Sequence, residues 1–77
     1  MLVNVYTPEF TRSFEATAVF LPGSSAPFEV LPGHAPIIST LESGELRWRG
    51  TEGEQSLAIK SGAVRVSNNT VEICAEV

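Results

Sequence analysis

The sequence predicts an all-β domain, a two-sheet antiparallel β-sandwich or flattened barrel. Apolar and polar residues alternate with period two through most of the 77-residue chain, as in strands that bury one face. Short turn sequences separate these runs, and about eight or nine short strands at this spacing are typical of a sandwich. No window repeats at helical spacing, and no linker or internal repeat divides the chain. Residues 1–77 are therefore predicted to form one domain.

The charge and cysteine content narrow the classes of function. The formal net charge is −4, and the five Lys and Arg residues are scattered, which argues against a nucleic-acid surface. Cys74 is the single cysteine, so no intrachain disulfide is possible. The sequence shows no signal peptide and no apolar run long enough to span a membrane.

The alternation places the strands in order along the chain. Leu2–Tyr6 is the first strand, and Pro8 interrupts the chain after it because proline cannot donate to a sheet. Phe14–Phe20 alternates strictly, which predicts one strand with its even-numbered residues buried and Val19 facing out. The later strands are predicted at Ile37–Leu41, Glu45–Arg49, around Leu57 and Ile59, around Val64 and Val66, and at Thr70–Val77.

Two further turns are predicted near the end of the chain. Asn68 and Asn69 form a two-residue hairpin turn, since asparagine tolerates the left-handed conformation that such turns need. Ser61–Gly62 is predicted to be a bulge or a sharp bend.

The segment Leu21–Pro36 is the most unusual part of the chain. It contains four of the five prolines, two of the six glycines and the only histidine. Pro22–Gly23 and Pro32–Gly33 are predicted as tight turns with glycine at the third position, flanking a short strand. A segment this stiff costs less to order than a flexible one, which suits a surface that meets a partner in a fixed shape.

His34 is the polar residue most open to a functional role. It is interpreted either as a turn histidine or as a partner contact. No metal site is expected, because His34 would need further His, Cys or carboxylate ligands, and the only cysteine lies forty residues away in the sequence. A small hydrolase would need His34 with a serine and a glutamate, since the chain has no Asp and no Gly-x-Ser-x-Gly elbow. No catalytic residue and no cofactor are predicted.

Two aromatic residues have a structural and a functional interpretation. Phe28 is either a core anchor beneath the loop or an exposed apolar contact for a partner. Trp48 is predicted to lie in the core, because it alternates with Arg47 and Arg49.

Several motifs resemble one known family. Leu21-Pro22-Gly23 followed by the run from Phe28 to Pro36, which includes Pro-Gly-His-Ala-Pro, is similar to the epsilon subunit of bacterial rotary (F-type) ATP synthases. Leu41–Arg47, Ser61–Val66 and Asn69–Ile73 resemble later strands of that family in the same order. The resemblance covers nearly the whole chain and corresponds to the N-terminal domain of the family, a sandwich of two five-stranded antiparallel sheets.

The resemblance implies a role and a set of contacts. It implies a non-catalytic subunit of the central stalk that links the gamma subunit to the membrane c-ring and helps couple proton flow to ATP synthesis. The subunit would be peripheral, on the cytoplasmic face of the bacterial inner membrane. The c-ring contact would fall on Ser24, Ser25, Ala26, Pro27, Phe28 and Glu29. The gamma contact would fall on Tyr6, His34 and Ser39.

The chain departs from the family pattern at three points. The family often has glycine where Ala26 and Ala63 stand, so a different path is expected for the loop at Ala26. The family also carries a C-terminal helical hairpin after the sandwich, and this chain ends at Val77, where the hairpin would begin. The alternative to a stalk subunit is a free-standing small β-sandwich that binds a ligand or peptide, for example at a sheet edge.

Overall fold

The computed structural model describes residues 1–77 and consists of nine strands joined by turns and loops. The all-β prediction is confirmed, and no helix long and apolar enough to cross a membrane is present. The strands are β1 (Leu2–Tyr6), β2 (Thr11–Glu15), β3 (Ala18–Leu21), β4 (Phe28–Val30), β5 (Ile37–Leu41), β6 (Gly44–Gly50), β7 (Gly53–Ile59), β8 (Ser61–Ser67) and β9 (Thr70–Glu76).

The strands form two sheets, as the sequence predicts. The first sheet has the order β2-β1-β9-β8-β5, and the second has the order β4-β3-β6-β7. Every pair is antiparallel except β1 and β9, which run parallel with Val3 opposite Val71. The resemblance implied five strands in each sheet and only antiparallel pairs, so the structure differs from it in these two details.

Strand β5 explains why the second sheet has four strands. It pairs with β8 along its full length in the first sheet. Its last residue, Leu41, also forms an isolated bridge with Gly23, which follows β3 of the second sheet. Because this contact is a single bridge, β5 joins the two sheets at one corner and does not become a fifth strand.

The core lies between the inner faces of the two sheets. Every buried side chain is apolar, and no polar side-chain atom is buried without a partner. Leu46 and Trp48 face inward from β6, as the alternation predicts. Trp48 stacks on Phe14 with 4.6 Å between ring centroids, and the Arg12 guanidinium lies over the Trp48 ring. Alternate inward residues on β1, β8 and β9 supply the opposite half of the core: Val3, Val5, Val64, Val66, Val71, Ile73 and Ala75.

The single strand expected over Phe14–Phe20 is wrong. The chain leaves the first sheet after Glu15 and enters the second at Ala18, so the alternation restarts. Val19 is therefore fully buried, although the pattern placed it outside. Phe20 lies on the outer face, where the Arg47 and Arg49 guanidinium groups cover its ring at 4.9 and 5.7 Å from the centroid. The two guanidinium groups shield the ring from water, so a phenylalanine can occupy an outward position that the sequence pattern assigns to the core.

The hairpin between β8 and β9 is confirmed. Asn68 and Asn69 have φ values of 51° and 57°, as a two-residue turn of this kind requires. The bulge or bend expected at Ser61–Gly62 is displaced by one residue. Strand β8 pairs with β9 from Ser61 onward without a bulge, and the chain bends at Lys60, where it passes from the second sheet to the first.

Shortening one core side chain should markedly destabilise this small domain. Leu46→Ala should lower the free energy of unfolding by about 2–5 kcal/mol, because the residue is fully buried and its removal leaves a cavity. Leu31, which is 49% exposed, provides the matched control, and Leu31→Ala should change stability by less than about 0.5 kcal/mol. Urea unfolding followed by Trp48 fluorescence would measure both. Equal losses in the two variants would contradict the placement of the core.

Candidate partner-binding surfaces

The loop Ser24–Pro27 is exposed and is anchored at its start. At its start, the Ser24 backbone N–H donates to the Thr40 carbonyl at 3.0 Å, and the Thr40 hydroxyl lies 3.0 Å from the Ser24 hydroxyl. The Glu42 N–H donates to the Pro22 carbonyl at 2.9 Å. These contacts attach the loop to the end of β5, so its exposed residues are presented from a fixed base.

Gly23 is required here by close packing, and the tight turn predicted at Pro22–Gly23 is present in a different form. Its φ is not positive, and its N–H donates to the Leu21 carbonyl at 3.0 Å across a three-residue turn centred on Pro22. A Cβ on Gly23 would lie 2.5 Å from the Ala26 carbonyl oxygen and 2.8 Å from the Phe28 ring. Only glycine allows the loop to fold back this closely. Ala26 itself has no positive φ, so alanine is accommodated there.

Phe28 lies between the loop and the core. It is half-buried and packs against the core cluster, as the core-anchor interpretation expects. Its neighbour Glu29 is exposed and pairs with Phe20 of β3. An open depression of about 450 Å³ lies on this outer side of the second sheet, and Pro27, Phe28 and Glu29 are among the residues that line it.

His34 follows a turn that matches the prediction closely. Gly33 occupies the third position with a φ of 81°, and the His34 N–H donates to the Leu31 carbonyl at 3.1 Å. The Gly33 N–H donates to the Asn69 side-chain carbonyl at 3.0 Å, which ties this turn to the β8–β9 hairpin. The His34 Nδ1 lies 2.7 Å from the Ala35 carbonyl oxygen, so Nδ1 carries the proton, because a carbonyl only accepts.

The outer face of the first sheet carries an exposed apolar surface. Tyr6 lies opposite Cys74 in register, and both line an open depression of about 270 Å³ with Ile38 and Ala63. Ile38 is 81% exposed, the highest exposure of any large apolar side chain in the protein. We call these four residues the β1–β5 face. The ion pair between Arg65 and Glu72, at 3.6 Å, borders the same depression.

Ile38 is the residue that the sequence interpretation missed. Ile37 and Leu41 face inward on β5, so strict alternation on this strand would have placed Ile38 outward. An outward isoleucine is a useful signal, because large apolar side chains exposed within a contiguous patch mark interaction surfaces.

The three residues expected at the gamma contact do not form one cluster. Tyr6 shares a register row with Cys74, Ala63 and Thr40, toward the end of β5. His34 precedes the start of β5, so about six residues of extended chain, roughly 20 Å, separate it from that row. Ser39 is half-buried opposite the inward Val64, and its hydroxyl donates to the Thr40 carbonyl at 3.1 Å.

The six residues expected at the c-ring contact are consecutive in the sequence, so they form one segment in any fold. It runs from the loop Ser24–Pro27 into the start of β4 and lies at the end of the sandwich opposite His34. The His34 ring makes its hydrogen bond to the Ala35 carbonyl and not to a serine or a glutamate side chain. No group of three or more potential ligands is placed to hold a metal ion.

Comparison with known proteins adds independent evidence. The sequence profile of the ATP synthase Delta/Epsilon chain, beta-sandwich domain, matches residues 1–77. The chain belongs to this family. It is 38% identical over 74 residues to an ATP synthase epsilon chain of Cereibacter sphaeroides, which covers 95% of this chain and 56% of the relative. It is 35% identical over 75 residues to that of Leptospira borgpetersenii, which covers 96% and 59%.

Solved structures confirm the sandwich. A chain in the central stalk and c-ring of the Tetrahymena thermophila mitochondrial ATP synthase matches with a TM-score of 0.85 at 20% identity, over 100% of this chain and 63% of that one. A chain of the Euglena gracilis mitochondrial ATP synthase matches with a TM-score of 0.89 at 18% identity, over 97% and 49%. The chain spans roughly half the length of the curated relatives it matches.

Gly23→Ala tests the packing beneath the loop Ser24–Pro27. The added methyl group would displace the Ala26 carbonyl and the Phe28 ring, so we expect a loss of about 1–3 kcal/mol in the free energy of unfolding. Gly33→Ala meets no atom within 4 Å, and only its φ of 81° opposes it, so it should cost about 1 kcal/mol. Urea unfolding of both variants would rank them, and a larger loss at Gly33 would contradict this account.

Proposed function

We propose that this domain is part of a non-catalytic central-stalk subunit of a proton-translocating ATP synthase. In this role it links the gamma subunit to the c-ring and helps couple proton flow to ATP synthesis. Membership of the family and the names of its relatives support the assignment. The subunit would work as a peripheral protein on the cytoplasmic face of the bacterial inner membrane.

The β1–β5 face is the observation that best supports a gamma contact. Ile38 and Tyr6 expose apolar surface at its two sides, and small side chains lie between them. A partner that covers this face would remove from water Ile38, the most exposed of the large apolar side chains. We therefore add Ile38 to the gamma contact that the family resemblance implies for Tyr6, His34 and Ser39. Since His34 lies about six residues from the Tyr6 row, the partner would have to extend along β5 to reach both.

The loop Ser24–Pro27, with Phe28 and Glu29, is proposed as the c-ring contact. The exposed residues of this loop are small, which allows close contact with the polar loops of the c-ring. Glu29 adds a negative charge at the edge of the loop. The backbone hydrogen bonds at Pro22 and Ser24 anchor the start of the loop, which lowers the ordering cost when a partner binds.

Ile38→Glu should weaken binding to the gamma subunit of the same enzyme by about tenfold or more, because it places a charge in a desolvated contact. The change should leave the fold intact, since the side chain is 81% exposed. Ala58→Glu, on the exposed outer side of the second sheet, is the matched control and should bind normally. Isothermal titration with purified gamma subunit would measure both variants.

The outcomes of that titration separate the two candidate functions. Equal affinity for wild-type and Ile38→Glu chains would exclude the β1–β5 face as the contact. No binding by the folded wild-type chain would overturn the stalk assignment and favour a free-standing binding module.

The c-ring contact can be tested by cross-linking in the assembled enzyme. With Cys74 replaced by serine, Ser25→Cys carrying a benzophenone label should cross-link to the c-ring protein. Thr51→Cys provides the control, because the β6–β7 turn lies one full strand, about 20 Å, from the Gly44 end near Pro22. We expect the cross-link only from Ser25. Equal cross-linking from Thr51 would place the c-ring elsewhere on the sandwich.

A further inference from the structure

The segment 31–36, which carries His34, is held against the sandwich by a single hydrogen bond. It lies between β4 and β5, five of its six residues are exposed, and none is buried. Two of its three hydrogen bonds stay within the segment. The third runs from the Gly33 N–H to the Asn69 side chain at 3.0 Å and is the only one that reaches another part of the chain. The position of the segment on the sandwich therefore depends on Asn69.

Asn69 is itself fixed in the turn between β8 and β9. It has a φ of 57°, a conformation that asparagine tolerates. Its backbone carbonyl accepts a hydrogen bond from the Leu2 N–H at 3.2 Å, which joins the turn to the start of β1. The side-chain atom that faces Gly33 must be the amide oxygen, because an N–H donates. Asn69 therefore reaches Gly33 from a base that three strands hold in place.

The prolines of the segment cannot replace this bond. Pro32 and Pro36 restrict the backbone locally, because each fixes its own φ. Neither has an N–H, so neither can donate to the neighbouring hairpin. The stiffness within the segment and its position on the sandwich therefore have separate causes, and the second depends on the Asn69 side chain.

We propose that Asn69 is a positioning residue for the gamma contact and that it acts through His34. Its bond to Gly33 holds the turn that carries His34 in place before the partner binds. A contact that is already ordered binds at a lower entropic cost than one that must be ordered on binding. This inference rests on the proposed function, because the gamma contact is part of it.

Amide exchange in the free chain tests the first step. Asn69→Gly removes the acceptor and keeps the turn, because glycine also adopts a positive φ. Asn68→Gly is the matched control, since Asn68 has a φ of 51° and its side chain makes no hydrogen bond. By NMR, the Gly33 amide should exchange about tenfold faster in Asn69→Gly and at the wild-type rate in Asn68→Gly. Urea unfolding checks that both variants fold.

Isothermal titration with the gamma subunit tests the second step. Asn69→Gly should weaken binding about threefold to tenfold, and Asn68→Gly should not. Asn69→Asp keeps an oxygen acceptor and should bind as tightly as Asn68→Asp, which carries the same added charge. In a chain that already carries His34→Ala, Asn69→Gly should cause no further loss, because the bond acts through His34.

The outcomes distinguish this inference from the proposed function. A wild-type chain that does not bind the gamma subunit would overturn both. If the wild-type chain binds and Asn69→Gly leaves either the affinity or the Gly33 exchange rate unchanged, the positioning role alone is excluded. An equal loss of affinity from Asn69→Gly with and without His34→Ala would also exclude it, since Asn69 would then act independently of His34.

Discussion

The packing of two apolar sheet faces against each other is the constraint on which the rest of the structure depends. The buried side chains are all apolar, and fully buried residues such as Val30 and Ile73 come from opposite sheets. A chain of this length buries only about 60–65% of the surface it exposes when unfolded, so few inward positions are dispensable. Each strand must therefore keep its alternate residues facing inward. This alternation restarts only where the chain crosses between the sheets.

Strand β5 connects the surfaces that we propose for the two partners. Ile38 lies on the β1–β5 face, and two residues later Thr40 bonds to Ser24 at the base of the loop. Leu41 forms the bridge to Gly23 on the same side. A displacement of the loop would therefore act directly on the strand that carries Ile38, through backbone hydrogen bonds and not through flexible side chains. A domain that passes force between two partners needs a short, stiff connection of this kind.

Much of this could be predicted from the sequence, because local rules govern it. Asn68 and Asn69 adopt the left-handed conformation their type allows, and Gly33 has the positive φ that its turn demands. The crossing between β2 and β3 could not be predicted in this way. Ala16, Ala18 and Phe20 continue the alternation of Phe14, and only the tertiary structure shows that the chain changes sheets between them. Ile38 was missed although its strand was predicted, because the alternation that places it outward was not followed along this strand.

Gly23 shows why the conformation of the loop could not be predicted from a local sequence pattern. A Pro-Gly pair usually indicates a turn with a positive φ, and at Pro32–Gly33 this inference holds. At Pro22–Gly23 the same pair serves a different purpose, since the glycine makes room for the Ala26 carbonyl and for the Phe28 ring five residues ahead. The requirement arises from a contact that exists only once the loop has closed over Phe28. The shape of the proposed c-ring contact therefore depends on the packing beneath it, and the exposed residues of the loop do not set it alone.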